Sequence, residues 1–516
     1  MWDLVARHAD ARGSAPAVVN GDDQITYAQL AVAVESLACY LRTDGASAPG
    51  DRAAVWMTNS SEWITALLGS LTAGLVVFGI DPRATDAEVA YLFQTLEPTT
   101  VFTEASLVHR AEGAMVTAGH VARMVVKGHV DGQDSFSDVI ADIRTRTFPD
   151  PGESDNAFII NTSGTTTGRA KPLLHDHWNV VHGLGEAWAD ALQIVEDDRS
   201  FFVTPLTHGC AMVATMSALW AGASVSCQPQ FRLRQFWDDV RVNSPTYLFA
   251  LYPIAALLMT LPPSPSERES TLGLGYIVGA ADQGPHVEAR FRFPVVDSYG
   301  ASEMLTGTVT PVAGRNDDGG WTVGRTKPGS AGRPLGLCTL MIVDDHGNRC
   351  GPGETGEIVS KFGRHQSFLG YFNDPGATAA VVRDGWIHTG DLGYLDDDGY
   401  LFYVDRIKDM VRRGGENISP IEVERVLLGS AEILDAAVVG KTDPVLGERV
   451  IAAVQFAGKP MTLAEVQRMC ATELASYKCP EGLIALDALP RTGTGKIQKQ
   501  KIREGMQSGT YRVAYA

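Results

Sequence analysis

The chain is poor in lysine. Only 11 of its 43 basic residues are lysine, against 61 acidic residues, and the formal charge is −18. So acidic a balance argues against a nonspecific nucleic-acid binder. Cysteine is sparse too: seven in 516 residues, at 39, 210, 227, 338, 350, 470 and 479, an odd number with no C-x-x-C pair. That pattern excludes a disulfide framework and a thiolate zinc site, and suits free thiols in a reducing compartment. No apolar run reaches the length of a membrane span. The uncharged apolar stretch 64–80 is broken by Gly69, Ser70, Thr72, Gly74 and Gly79, and reads as a buried helix turning into a strand. The opening MWDLVARHADARG is charged and lacks an apolar centre, so no secretory leader and a cytoplasmic location are expected. Internal repeats and low-complexity tracts are absent.

What is present is alternation. A helical period runs over 25–42, a short strand over 53–57, a helix over 63–71, and strands over 75–80 and 157–160. Repeated β–α units imply largely parallel sheets covered by helices. The most loop-like segment is 261–270, LPPSPSERES. Near residue 350 the texture changes to a turn-rich β segment. Residues 399–428 then read as strand, charged connector, hairpin and helix. At this length more than one domain is expected. The connector 404–409 supplies the boundary: a large α/β domain of layered β–α subdomains over 1–406, and a small α+β domain over 407–516. From Lys408 onward the charge balance is +2, with seven Lys, eight Arg and 13 acidic residues. A less acidic cap would suit a polyanionic ligand such as coenzyme A.

Two clusters read as ordinary structure. His175-Asp176-His177 is expected in a loop after a strand, not as a metal site. Asp396-Asp397-Asp398-Gly399 lacks calcium-loop spacing and is expected as a hairpin turn.

The densest chemistry lies in TSGTTTGRAK, residues 162–171. Thr162, Ser163, Thr165, Thr166 and Thr167 bring hydroxyls, Gly164 and Gly168 bring backbone freedom, and Lys171 brings a point charge. Such a loop after a strand can cradle phosphates with its N–H groups. It is not G-x-x-x-x-G-K-[ST]. Farther on come YGASE (299–303), TGD (389–391), DRIKD (405–409), GGENISPIEVE (414–424), YKCP (477–480) and PRTGTGKIQK (490–499).

This ordered set resembles the adenylate-forming enzymes: acyl-CoA synthetases, adenylation domains and luciferases. The resemblance covers nearly the whole chain. It implies a mobile C-terminal domain and acyl-CoA ligase chemistry with ATP or acyl-AMP, coenzyme A and Mg²⁺. It makes Glu303 the metal ligand and Lys496 the catalytic lysine of adenylation. His208 falls where the acyl carboxylate enters. Gly279, Ala280 and Ala281 would pack the adenine, while Tyr299, Gly300, Ala301 and Ser302 would line the nucleotide site. Asp391 would hold the ribose hydroxyls, Arg406 would contact ribose or phosphate, and Lys408 would be the hinge. Gly414 and Gly415 would border the pantetheine tunnel. The chain is also similar to ligases of platensimycin-type diterpenoid pathways, which would imply a polycyclic acid.

No acid follows His208 before Asp238, so a substrate without an α-amine is expected. No carrier attachment motif follows either, so free coenzyme A is the expected acceptor. The pattern is broken at one place. Three threonines separate Gly164 from Gly168, where the family has two, and Ala170 stands where proline is usual. One inserted residue redirects N–H groups that must meet fixed oxygens. Weak or absent adenylation is therefore expected, with a separate adenylating ligase supplying the acyl-AMP. A full two-step ligase and an enzyme serving a separate carrier protein remain the alternatives. The expected partners are a small carboxylic acid or its adenylate, with no nucleic acid and no membrane span; an oligomer is open.

Overall fold

Side chains of single strands feed two different cores. In Arg52–Trp56, Ala53 and Val55 join one apolar cluster, and Ala54 and Trp56 another. In Tyr247–Leu251, Tyr247 and Phe249 face one cluster, and Leu248 and Ala250 a second. This is the period of two expected for strands buried on both faces. In the computed structural model the described residues are 1–161, 171–280, 283–324, 327–362, 368–491 and 497–515, with backbone only at 305 and 306.

Two sheets of seven strands dominate the described residues. The first runs in the order 134–135, 123–127, 100–104, 52–56, 76–79, 156–161, 172–176. It is parallel except for its last pair, in which Asn156–Asn161 meets Pro172–Asp176 antiparallel. The second runs 295–296, 274–278, 247–251, 199–202, 224–227, 16–20, 23–26, and only its last pair is antiparallel. Helices Tyr27–Arg42, Ser61–Thr72 and Gly209–Ala221 share a cluster with inward residues of both sheets, so they form the middle layer. Helices Asp86–Leu96 and Val108–Ala118 cover one outer face. Helices Phe236–Asn243, Tyr252–Met259 and Gly284–Phe291 cover the other.

Contacts divide the described residues into two units. The first takes those of Met1–Thr162, Ala170–Leu340 and Ser360–Ile387, and holds both large sheets. The second takes those of Met341–Val359 and His388–Ala516. It is α+β. Val438 and Val450 pack toward helices Pro420–Leu428 and Leu463–Cys470, while Val439 and Ile451 pack toward Lys499–Gln507. The connector 404–409 and the strand before it lie inside this second unit.

Three local readings need correction. The helix expected from residue 25 begins at Tyr27, because Thr26 caps it: Gln29 N–H donates to Thr26 Oγ1, and the Gln29 side chain accepts from Thr26 N–H. The loop-like 261–270 holds a one-turn helix, Pro265–Arg268, capped by Ser264; proline at a first helical position starts a helix as readily as a turn. His175 and Asp176 are strand residues, and His177 opens the helix that follows. Strand Pro172–Asp176 pairs antiparallel with Asn156–Asn161, and the apolar pair Leu173–Leu174 leads directly into them. The other expected elements match closely, including the turn at 396–399 and the sequence of strand, connector, hairpin and helix after 399. All seven cysteines are free. No described helix is long and apolar enough to cross a membrane.

Candidate active site

In the first unit, Asn161 pairs antiparallel with Pro172. Lys171 therefore stands at the mouth of an antiparallel pair. Its ammonium lies 5.4 Å from the centroid of the Tyr371 ring. The Tyr371 hydroxyl donates to Glu303 Oε1 at 2.6 Å. Glu303 occupies the tip of a two-residue hairpin, since Ala301 pairs with Met304 across Ser302 and Glu303. That hairpin is kept tight by Gly307, where a Cβ would fall 2.0 Å from the Tyr299 carbonyl oxygen. Tyr299 is buried, and its N–H donates to Thr308 Oγ1 at 3.1 Å. Gly300 is exposed, and Ala301 and Ser302 are half-buried.

Asp297 clamps the neighbouring strand end. Its Oδ1 accepts from Gly279 N–H and from Ser298 N–H, both at 2.7 Å. Gly279 has φ +81°, a conformation glycine adopts without strain, and Ala280 beside it is buried. His208 caps helix Gly209–Ala221: its Nδ1 accepts from Cys210 N–H at 3.2 Å, which puts the proton of the neutral ring on Nε2. No charged side chain occurs along that helix.

In the second unit, Asp391 and Arg406 are cross-strand partners, with Arg406 Nε 3.3 Å from Asp391 Oδ1. Asp391 is buried. The strand residues before it are held three ways. Gly390, at φ +70°, donates its N–H to Glu357 Oε1; Thr389 Oγ1 donates to the Ile358 carbonyl; and Glu357 Oε2 pairs with His388 Nδ1 at 2.7 Å. Burial and the Asp391 carboxylate push the Tyr403 hydroxyl well up. Asp405 accepts from Ser419 Oγ at 3.0 Å and from Ile421 N–H at 3.1 Å, tying the strand to the start of helix Pro420–Leu428. Lys408 lies in the turn that follows, its pKa lowered by burial first and by Arg406 second. Gly414 and Gly415 form the two-residue loop between Val411–Arg413 and Glu416–Ile418, with φ +57° and +90°. Two positive φ values match the twist of a tight hairpin and demand glycine.

The structure thus brings together Lys171, Glu303 and Tyr371 in one unit, and Asp391, Arg406 and Lys408 in the other. Thr162, Ser163, Gly164, Thr165, Thr166, Thr167, Gly168, Ala281 and Lys496 lie outside the described residues. Tyr371, Asp297 and Glu357 escaped the sequence reading. An acid inside the apolar run PVVDS could have marked Asp297; nothing local marks the other two. Among the described residues no group of three or more metal-ligating side chains occurs. A single carboxylate nevertheless suits Mg²⁺, which is commonly held by one or two carboxylates together with substrate phosphates and water.

Residues 5–372 match the AMP-binding enzyme family, and 422–496 match the AMP-binding enzyme C-terminal domain. The chain belongs to the AMP-binding enzyme family. It is an enzyme of the AMP-forming acid–thiol ligase class. It is 30% identical over 490 residues to the long-chain-fatty-acid–CoA ligase FadD13 of Mycobacterium tuberculosis, covering 94% of this chain and 93% of that one. It is 31% identical over 525 residues to the indoleacetate–CoA ligase of Aromatoleum aromaticum, covering 99% and 98%. Its fold superposes on ATP-bound MatB from Rhodopseudomonas palustris with a TM-score of 0.87 at 28% identity, over 98% of this chain and 99% of that one.

Proposed function

We propose that this AMP-binding enzyme converts a carboxylic acid without an α-amine into its coenzyme A thioester by way of an acyl adenylate. The observation that carries the reading is the convergence of Lys171, Glu303 and the Tyr371 hydroxyl at the mouth of the phosphate loop. Lys171 and the loop hydroxyls take the phosphates, and Glu303 holds Mg²⁺, which when bound neutralises charge on the triphosphate. Gly279, Ala280 and Ala281 receive the adenine. Tyr299 to Ser302 line the α-phosphate side. Asp391 accepts from the ribose hydroxyls, with Arg406 beside it. Lys496 donates to the charge that develops on the carboxylate and α-phosphate.

In the second half-reaction the thiol sulfur of coenzyme A bonds to the acyl carbon. The acyl C–O bond to phosphate breaks, AMP leaves with the electron pair, and the thiol proton is released. Gly414 and Gly415 let the pantetheine pass close to backbone. The uncharged helix after His208, and the likeness to fatty-acid and indoleacetate ligases, support an acid with an apolar or ring-bearing body. Incubation of such acids with ATP, Mg²⁺ and either coenzyme A or a phosphopantetheinylated carrier tests the acceptor. Acyl-CoA is expected; acylation of the carrier alone would overturn this reading.

A second reading is favoured by one observation, the surplus threonine among Thr165, Thr166 and Thr167. Loss of one aimed donor costs about 3 kcal/mol of transition-state stabilisation, a hundredfold or more in rate. The β- and γ-phosphates of ATP depend on this loop, whereas an acyl-AMP has no such phosphates. The damage then falls on adenylation, and a separate ligase supplies the acyl-AMP. Pyrophosphate exchange near background is expected, rising when one of these threonines is deleted. Robust wild-type exchange would refute it.

A further inference from the structure

Three parts of the first unit converge on Tyr371. The segment around it runs against the strand that leaves the phosphate loop: Leu174 N–H donates to the Gly370 carbonyl at 3.0 Å, and Phe372 N–H to the Pro172 carbonyl at 2.8 Å. Tyr371 N–H donates to Thr378 Oγ1 at 3.0 Å, and Phe368 meets the ring edge-on with centroids 5.1 Å apart. The side chain is therefore fixed before any ligand arrives. From that position it makes two contacts of different kinds. Its hydroxyl donates to Glu303 Oε1 at 2.6 Å, a charge-assisted hydrogen bond. Its ring lies 5.4 Å from the Lys171 ammonium, within range of a cation–π attraction.

We propose that Tyr371 is a positioning residue for the metal–triphosphate half of the site. It ties the Glu303 carboxylate to the Lys171 ammonium, and so sets where the metal ligand and the phosphate cation stand. The proposal rests on the nucleotide roles given above to Glu303 and Lys171. Glu303 sits at a hairpin tip, and the Tyr371 hydroxyl orders its carboxylate there. Preordering by Tyr371 relieves the incoming Mg²⁺ of that ordering. Removing the hydroxyl should weaken metal capture without altering the contacts to adenine and ribose. Removing the ring as well should loosen Lys171.

The test is calorimetric titration of ATP at graded Mg²⁺, and of AMP without metal, for the wild type and for Tyr371→Phe, Tyr371→Leu and Glu303→Gln. Tyr371→Phe keeps the ring and its packing. It is expected to raise the Mg²⁺ midpoint about tenfold, as loss of a hydrogen bond to a charged group implies. Its ATP affinity at saturating Mg²⁺ should stay within about twofold of wild type. Tyr371→Leu should also weaken ATP binding at saturating Mg²⁺, and AMP binding should be unchanged in both. A purely structural role would weaken AMP and ATP alike and leave the midpoint fixed, which would overturn the proposal. So would an unchanged midpoint in Tyr371→Phe beside a shifted one in Glu303→Gln. If Glu303→Gln moves nothing either, or if no variant binds ATP in a Mg²⁺-dependent way, the parent reading falls and the proposal falls with it.

Discussion

Asp391 and Arg406 face each other across two strands, and that pairing decides how each should respond to mutation. Asp391 is buried while the Arg406 side chain is 44% exposed, so the acid is held by the fold and the base is partly open to solvent. Two ribose hydroxyls donating to a buried carboxylate are worth about 1.5–3 kcal/mol. Asp391→Asn should therefore weaken AMP binding about 10- to 100-fold, read by calorimetry on protein whose circular dichroism is unchanged. An unchanged affinity would remove Asp391 from the ribose site. These residues were legible in the sequence because TGD and DRIKD are short, local patterns. Glu357, which holds Gly390 in its strand, and Tyr371, which holds Glu303, were not. The partners lie 33 and 68 residues away, and no spacing rule reaches that far.

At the scale of elements, the hairpins set the site. Gly307 cannot carry a Cβ without driving the strand off the Tyr299 carbonyl, and the tip it supports carries Glu303. Gly307→Ala should cost about 1–3 kcal/mol in denaturant unfolding, the usual penalty for overpacking. It should also impair any Mg²⁺-dependent step more than AMP binding. Equal loss of both would mean that Glu303 is not the element's cargo. The long hairpin Ile433–Asp443/Gly447–Phe456 is closed by Asp443, whose carboxyl is held down to about 2 by the N–H groups of Leu446 and Val445 and by Arg449. A depressed folded pKa contributes stability that is full above the unfolded value near 3.8 and is lost as pH falls through about 2. Asp443→Asn should lower the melting temperature at neutral pH. The gap to wild type should narrow progressively below pH 3.8. A gap independent of pH would contradict this. Strand and helix existence followed from periodicity, as over Ser61–Thr72 and Asn156–Asn161. The errors came where one residue serves two grammars: Pro265 as turn or helix start, and His175 as loop or antiparallel return strand.

For the whole molecule, Lys408 is the residue proposed as the hinge. Asp409 N–H donates to the Arg406 carbonyl, so Lys408 is the third residue of a four-residue turn. Proline is disfavoured there and also restricts Ile407 before it. Lys408→Pro should cut overall turnover at least about tenfold while AMP binding stays within a few-fold. Unchanged turnover in a folded variant would argue against this hinge. Layered architecture and a smaller C-terminal α+β part were foreseeable from β–α alternation and the change of texture near residue 350. That residues 388–406 pack with the C-terminal unit was not, because unit boundaries are set by long-range contacts. The thioester-forming half of the proposed reaction is intact in this chain if the roles given above hold. Its most direct test is single-turnover mixing of the protein with synthetic acyl-AMPs, aliphatic, aryl and polycyclic, and coenzyme A, followed by mass spectrometry. Acyl-CoA and AMP are expected in equal amounts from at least one adenylate, without ATP. Acyl-CoA formation at the uncatalysed rate from all of them would contradict it.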